Sequence, residues 1–158
     1  MRLQSKQYSM EEMYPLLLEV IESGGEFRLW PRGTSMLPLL REGKDSVALV
    51  LPKNCRPRDI CLYRRHDGAF VLHRLMRFDK NGAPVFCGDN QTALEFGVGR
   101  EDIIACATAV YRGERRIPIT SFAYRFYVCF HSLMLWRRLY FFSRRVMSRI
   151  ARITRIKK

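Results

Sequence analysis

Three short segments hold side chains that could do chemistry together: Gly33-Thr34-Ser35-Met36-Leu37-Pro38, Val71-Leu72-His73-Arg74 and Gly88-Asp89-Asn90-Gln91. They supply one serine, one histidine and one aspartate. A serine hydroxyl is a weak nucleophile at neutral pH. A neighbouring base must take its proton during attack, and a carboxylate can fix the tautomer of that base. The residue types are therefore those that acyl transfer uses. A turn serine before a proline, a core histidine and a turn aspartate beside Asn90 would produce the same residues without any chemistry.

The elements that must position these groups follow from the pattern. Ser9 followed by Glu12 reads as a capping box, and Met13, Leu16, Leu17, Val20 and Ile21 then recur at helical spacing. Gly24-Gly25 ends that helix, so residues 1–25 form an N-terminal helical unit. Residues 26–120 change character. Short runs rich in Val, Ile, Phe and Tyr are punctuated by Gly, Pro, Asn and Asp, which predicts a mainly β domain. Asp67-Gly68 and Asn81-Gly82 mark two hairpins. Residues 121–158 contain no Gly or Pro and are expected to form a long basic amphipathic helical tail. Helical geometry puts Arg137, Arg138, Arg144, Arg145, Arg149, Arg152 and Arg155 within an arc of about 140°, opposite Trp136, Leu139, Val146, Met147 and Ile150.

Bulk composition narrows the class. A chain of 158 residues with 47 % hydrophobic residues can bury one core, and it does not read as a disordered segment. The net charge of +13 favours an anionic partner. That charge is concentrated: from Phe122 to Lys158 there are ten Lys and Arg and no acid, leaving 13 − 10 = +3 on residues 1–121. No two of the five cysteines form a C-x-x-C pair, so neither a metal nor a cofactor is expected, and the thiols are expected to be reduced in a cytosolic compartment. The opening residues lack the apolar run of a secretory signal. No uncharged apolar stretch of transmembrane length occurs.

The order of the segments adds a resemblance. Ser35-Met36-Leu37-Pro38, then the strand-like stretches carrying Asp45 and Asp59, then Val71-Leu72-His73-Arg74, then Gly88-Asp89-Asn90, resembles the signal peptidase family, whose β-rich core is shared with LexA-type self-cleaving domains. The resemblance covers roughly residues 27–113. It implies a serine endopeptidase with Ser35 as nucleophile. The histidine at the base position, followed by Arg, resembles the archaeal and endoplasmic-reticulum type rather than the lysine type, and so implies His73 as general base. It also implies a contribution from Asp89, with Glu95 as a possible second acid. Met36 would line the substrate cleft. Gly33 and Thr34 fall in the oxyanion region, and Gly33 stands where many relatives carry a hydroxyl residue.

The expected substrate is a peptide or precursor protein. The tail is expected to bind an anionic membrane surface peripherally, on the cytosolic side because of its arginines. Nucleic acid is a less favoured partner, since no helix-turn-helix precedes the β domain and the tail interleaves many large apolar residues. A catalytically weak binding protein of the same fold is the alternative.

Overall fold

The structure, a computed structural model, describes residues 8–131. The first helix, α1 (Met10–Glu22), starts where the sequence marks it. Ser9 Oγ accepts from the Glu12 N–H, and the Glu12 carboxylate accepts from the Ser9 N–H. Pro15 sits inside α1, and the chain leaves the helix through Ser23 and Gly24, the latter at φ +83°, where glycine is favoured.

Seven strands follow: β1 (Phe27–Leu29), β2 (Asp45–Val50), β3 (Ile60–Arg64), β4 (Phe70–Phe78), β5 (Pro84–Cys87), β6 (Ile103–Arg112) and β7 (Arg115–Pro118). They form one antiparallel sheet in the order β1-β2-β6-β3-β4-β5, with β7 also paired to β6. Both glycine-marked hairpins are present, with Gly68 at φ +87° and Gly82 at φ +80°. The fold is mainly β with an N-terminal helix, as the sequence predicts. A final helix, α2 (Phe122–His131), covers ten residues; the expected long helical tail over 121–158 is not shown, and residues 132–158 lie outside the described residues. No helix of the described residues is long and apolar enough to cross a membrane.

Strand alternation splits the buried side chains into two groups. Ile60, Leu62 and Leu72 pack with Leu17 and Ile21 of α1, with Met36 and Leu40, and with Tyr124 and Val128 of α2. Cys61, Tyr63 and Leu75 pack instead with Phe86, Val98 and Ile103. β3 therefore presents odd and even residues to different layers. A register shift between Leu62 and Tyr63 against β6 marks an irregularity in this strand. Such irregularities re-aim a side chain near functional sites.

Cys55 and Cys106 form a disulfide, which corrects the expectation of reduced thiols throughout. The loop after β2 folds Cys55 onto β6 across 51 residues of sequence, a proximity that no short spacing announces. The Cys61, Cys87 and Cys129 side chains remain thiols. Burial pushes the Cys61 thiol up to about 12, which keeps it protonated and inert.

Candidate active site

Ser35 lies in the turn after β1, half-buried, between exposed Gly33 and Thr34 and buried Met36. Gly33 has φ +83°, a conformation that a residue with a Cβ adopts with strain. This backbone geometry explains why glycine stands at a position where a hydroxyl residue could otherwise be expected. The turn is stitched to the segment after β5. The Asn90 N–H donates to the Ser35 carbonyl at 2.6 Å, and Asn90 Nδ2 donates to the Thr34 carbonyl at 3.0 Å. Gly88 makes this possible. A Cβ there would lie 2.7 Å from the Ser35 carbonyl oxygen, so only glycine permits the approach.

His73 is in β4, with Cys61 of β3 as its cross-strand partner. Ser35 and His73 line one cavity of about 280 Å³, together with Met36, Arg65 and Gln91. Met36 both belongs to the core and borders this cavity. A wider groove of about 790 Å³ adjoins it, sharing Arg65 and Gln91 and running along Asn90, Thr92 and Glu95. Ser35 Oγ and His73 are not hydrogen-bonded to each other, and neither the Ser35 hydroxyl nor its N–H has an intrachain hydrogen-bond partner among the described residues. In serine–histidine pairs that do catalyse, such a contact commonly tightens only with substrate present.

The other edge of the His73 ring is fully engaged. Nδ1 lies 3.2 Å from the Tyr63 hydroxyl and 3.5 Å from Glu95 Oε2, while the Tyr63 hydroxyl donates to Glu95 Oε2 at 2.8 Å. Glu95 is brought there by backbone pairing, since its N–H and C=O exchange hydrogen bonds with Phe86 of β5. Tyr63 is clamped by Phe86, whose ring stacks on it at 4.2 Å between centroids. Arg65 fixes the carboxylate from outside, with Nη2 donating to Oε2 at 2.7 Å.

This arrangement determines the histidine tautomer. Burial raises the Glu95 carboxyl, but the hydrogen bonds from Arg65 and Tyr63 and the Arg65 charge outweigh it and leave the group below the usual glutamate range. Glu95 is therefore an acceptor. Burial, joined by the Glu95 hydrogen bond and charge, pushes the Tyr63 phenol well above its ordinary value, so it keeps its single proton. That proton goes to Glu95, which leaves the Tyr63 oxygen to accept from His73 Nδ1–H. Nε2 then carries the lone pair, as a general base requires. Burial also holds the His73 imidazole below its usual value of 6.5, with Glu95 offsetting part of the effect, so the ring is neutral near pH 7.

Asp89, the acid to which the resemblance assigns a contribution to activity, acts on His73 through its charge, which favours the protonated ring. Its carboxylate accepts from Arg74 Nε at 2.7 Å and Nη2 at 2.6 Å, and from the Tyr127 hydroxyl at 3.1 Å. Arg74 also donates from Nη1 to the Arg58 carbonyl and to the Tyr124 hydroxyl. Asp89 and Arg74 are each about 1 % exposed. Asp89 thus supports the site by holding the segment that carries Asn90, while Glu95 makes the contact to the histidine. Asp45 pairs with Arg41, and Asp59 accepts from the Arg56 N–H.

Sequence reasoning did not single out Tyr63 or Arg65. Both fall in the strand-and-turn stretch that pairs with β4, and only the sheet register brings them to His73. A metal would need donors in ligand geometry. The group that approaches it among the described residues, Cys55, Cys61 and Cys106, has two of its three sulfurs tied in the disulfide. No family model, curated protein or solved structure matches this chain.

Proposed function

We propose that the chain is a serine hydrolase working through Ser35, His73 and Glu95. Within that class, the segment order described above favours an endopeptidase resembling signal peptidase, acting on a peptide or precursor protein. The observation that carries this reading is the shared cavity: Ser35 and His73 line it, and the Tyr63–Glu95 pair binds the far edge of the histidine ring.

In the proposed reaction, Ser35 Oγ attacks the scissile carbonyl while His73 Nε2 takes its proton. The resulting imidazolium is stabilised by Glu95 through the Tyr63 hydroxyl. The tetrahedral oxyanion has the Ser35 N–H as a donor; Gly33 offers no side-chain hydroxyl. His73 then returns the proton to the leaving amine. A water deprotonated by the same nitrogen attacks the acyl-enzyme carbonyl, freeing the peptide acid and restoring Ser35. The extended groove past Arg65 and Gln91 suits an extended chain running by the nucleophile.

The test is cleavage of a mixed peptide library by the purified full chain, read by mass spectrometry. Internal cleavage lost in Ser35→Ala and in His73→Ala is expected. Unchanged cleavage in either variant, or none by a folded native chain, overturns the proposal.

A further inference from the structure

Three sulfurs meet at one place on the sheet. Cys61 of β3 and Cys106 of β6 are cross-strand partners, and their Sγ atoms lie 3.6 Å apart. Cys55, on the loop between β2 and β3, folds onto Cys106. All three Sγ atoms lie within 4.8 Å of one another, and no histidine or carboxylate joins the group among the described residues. Strand pairing sets two of the positions, while the third is on a loop. Cys61 is buried and the other two are half-buried, in an apolar cluster with Val98 and Ile103. A cavity of about 190 Å³ opens beside Cys55, lined by Phe78 and Ile103 and by the cationic side chains of Lys53 and Arg100.

We propose that, once the Cys55–Cys106 disulfide is reduced, Cys55, Cys61 and Cys106 bind a soft cation, Cu(I). The cluster is then a two-state site, a disulfide beside a thiol when oxidised and a metal thiolate when reduced. Thiolate sulfur selects soft cations such as Cu(I), Zn(II) and iron–sulfur clusters. Structural zinc takes four protein donors. Three sulfurs with no fourth donor beside them suit a three-coordinate monovalent ion instead. The spacing fits as well: sulfurs each about 2.3 Å from a shared metal stand roughly 3.8–4.0 Å apart, close to the Cys61–Cys106 separation. Reduction by a phosphine or dithiol delivers two electrons, and two protons complete the Cys55 and Cys106 thiols as the S–S bond breaks. Binding then releases three thiol protons as three S–Cu bonds form. Burial disfavours a bare Cys61 thiolate, so its proton leaves as the cation arrives. Three thiolates and one Cu(I) leave an excess of negative charge, which Lys53 and Arg100 at the cavity offset in part. The site does not depend on the peptidase reading.

The experiment is an anaerobic titration of the full chain with Cu(I) against a chromophoric Cu(I) chelator, before reduction and after treatment with a phosphine that is then removed. The expected result is one Cu(I) held per reduced chain, with a sulfur-to-copper absorption band, and none on the oxidised chain. Alkylation of the loaded protein is expected to spare Cys55, Cys61 and Cys106 and to modify the exposed Cys129. Cys55→Ser, Cys61→Ser and Cys106→Ser are each expected to lose more affinity than the about 10–100-fold that removing a ligand's outer hydrogen-bond partner costs. Cys129→Ser is expected to lose none. If the core variant Cys61→Ser does not fold, the oxidised–reduced comparison and the alkylation pattern of the native chain read the same site. No binding by the reduced chain overturns the proposal, as does equal binding by the oxidised chain, full affinity in folded Cys55→Ser, or protection of Cys129 in place of the trio. So does a reduced chain that unfolds and does not regain its fold with Cu(I).

Discussion

Two arginine–carboxylate pairs flank neighbouring residues of β4, and they do opposite work. Arg74–Asp89 is sealed between the sheet and α2 and surrounded by Tyr124 and Tyr127. Arg65–Glu95 is partly open to the groove and reaches His73 through Tyr63. His73 and Arg74 are adjacent, so strand alternation sends them to different layers. One layer receives a fully desolvated charge pair that locks two segments together. The other receives a polarised carboxylate that acts on a titratable ring. Under the proposed reaction, burial alone therefore does not mark the acid that serves His73; the less buried pair is the one that reaches its ring.

Asp89→Ala should give the largest loss of stability. It leaves the Arg74 guanidinium buried without its counter-charge, a situation that costs about 3–5 kcal/mol. Chemical denaturation should show this loss. If the midpoint barely moves, Arg74–Asp89 is not the joint described here.

Glu95→Gln should act on rate instead. It removes the charge that stabilises the imidazolium, and a drop on the order of 10²-fold or more in kcat is expected with little change in melting temperature. A variant that loses stability but retains its rate per folded molecule would reverse the roles assigned to the two acids.

Tyr63→Phe should be milder. It deletes one hydroxyl from a buried relay and should cost about 1–3 kcal/mol between rate and stability. The acid limb of its pH–rate profile should also move, because Glu95 can then approach Nδ1 directly and raise the His73 pKa. An unmoved limb would make the hydroxyl a packing feature only.

The smallest effect concerns the native protein. With His73 held below 6.5, its base form persists under mildly acidic conditions, so the acid limb of kcat/KM should lie below that value. The sign for stability is the same. As pH falls below about 6.5, the unfolded chain takes up a proton that the buried ring resists, so stability declines towards the folded pKa. A limb above 6.5 would contradict the burial argument.

How much of this was legible beforehand depended on the range of each interaction. α1 was readable because its capping box lies within four residues, and the two hairpins because Gly68 and Gly82 signal their own turns. Ser35 and His73 were readable as candidates by type and order. The division of labour between Asp89 and Glu95 was not. It depends on the Phe86–Glu95 pairing and on helix α2 delivering Tyr124 and Tyr127, and sequence spacing shows neither. Tyr63 was hidden for the same reason: on paper it is one more aromatic strand residue, and its role arises from β3–β4 register. Strand β7 has no apolar signature of its own, because Arg115 and Arg116, exposed on an edge, break the pattern.

The most direct measurement is covalent labelling of the folded chain with a serine-directed phosphonate, followed by peptide mapping. The account predicts a single adduct on Ser35, absent in Ser35→Ala and strongly slowed in His73→Ala and Glu95→Gln but not in Asp89→Asn molecules that remain folded. An adduct elsewhere, or Ser35 labelling indifferent to His73, would contradict it.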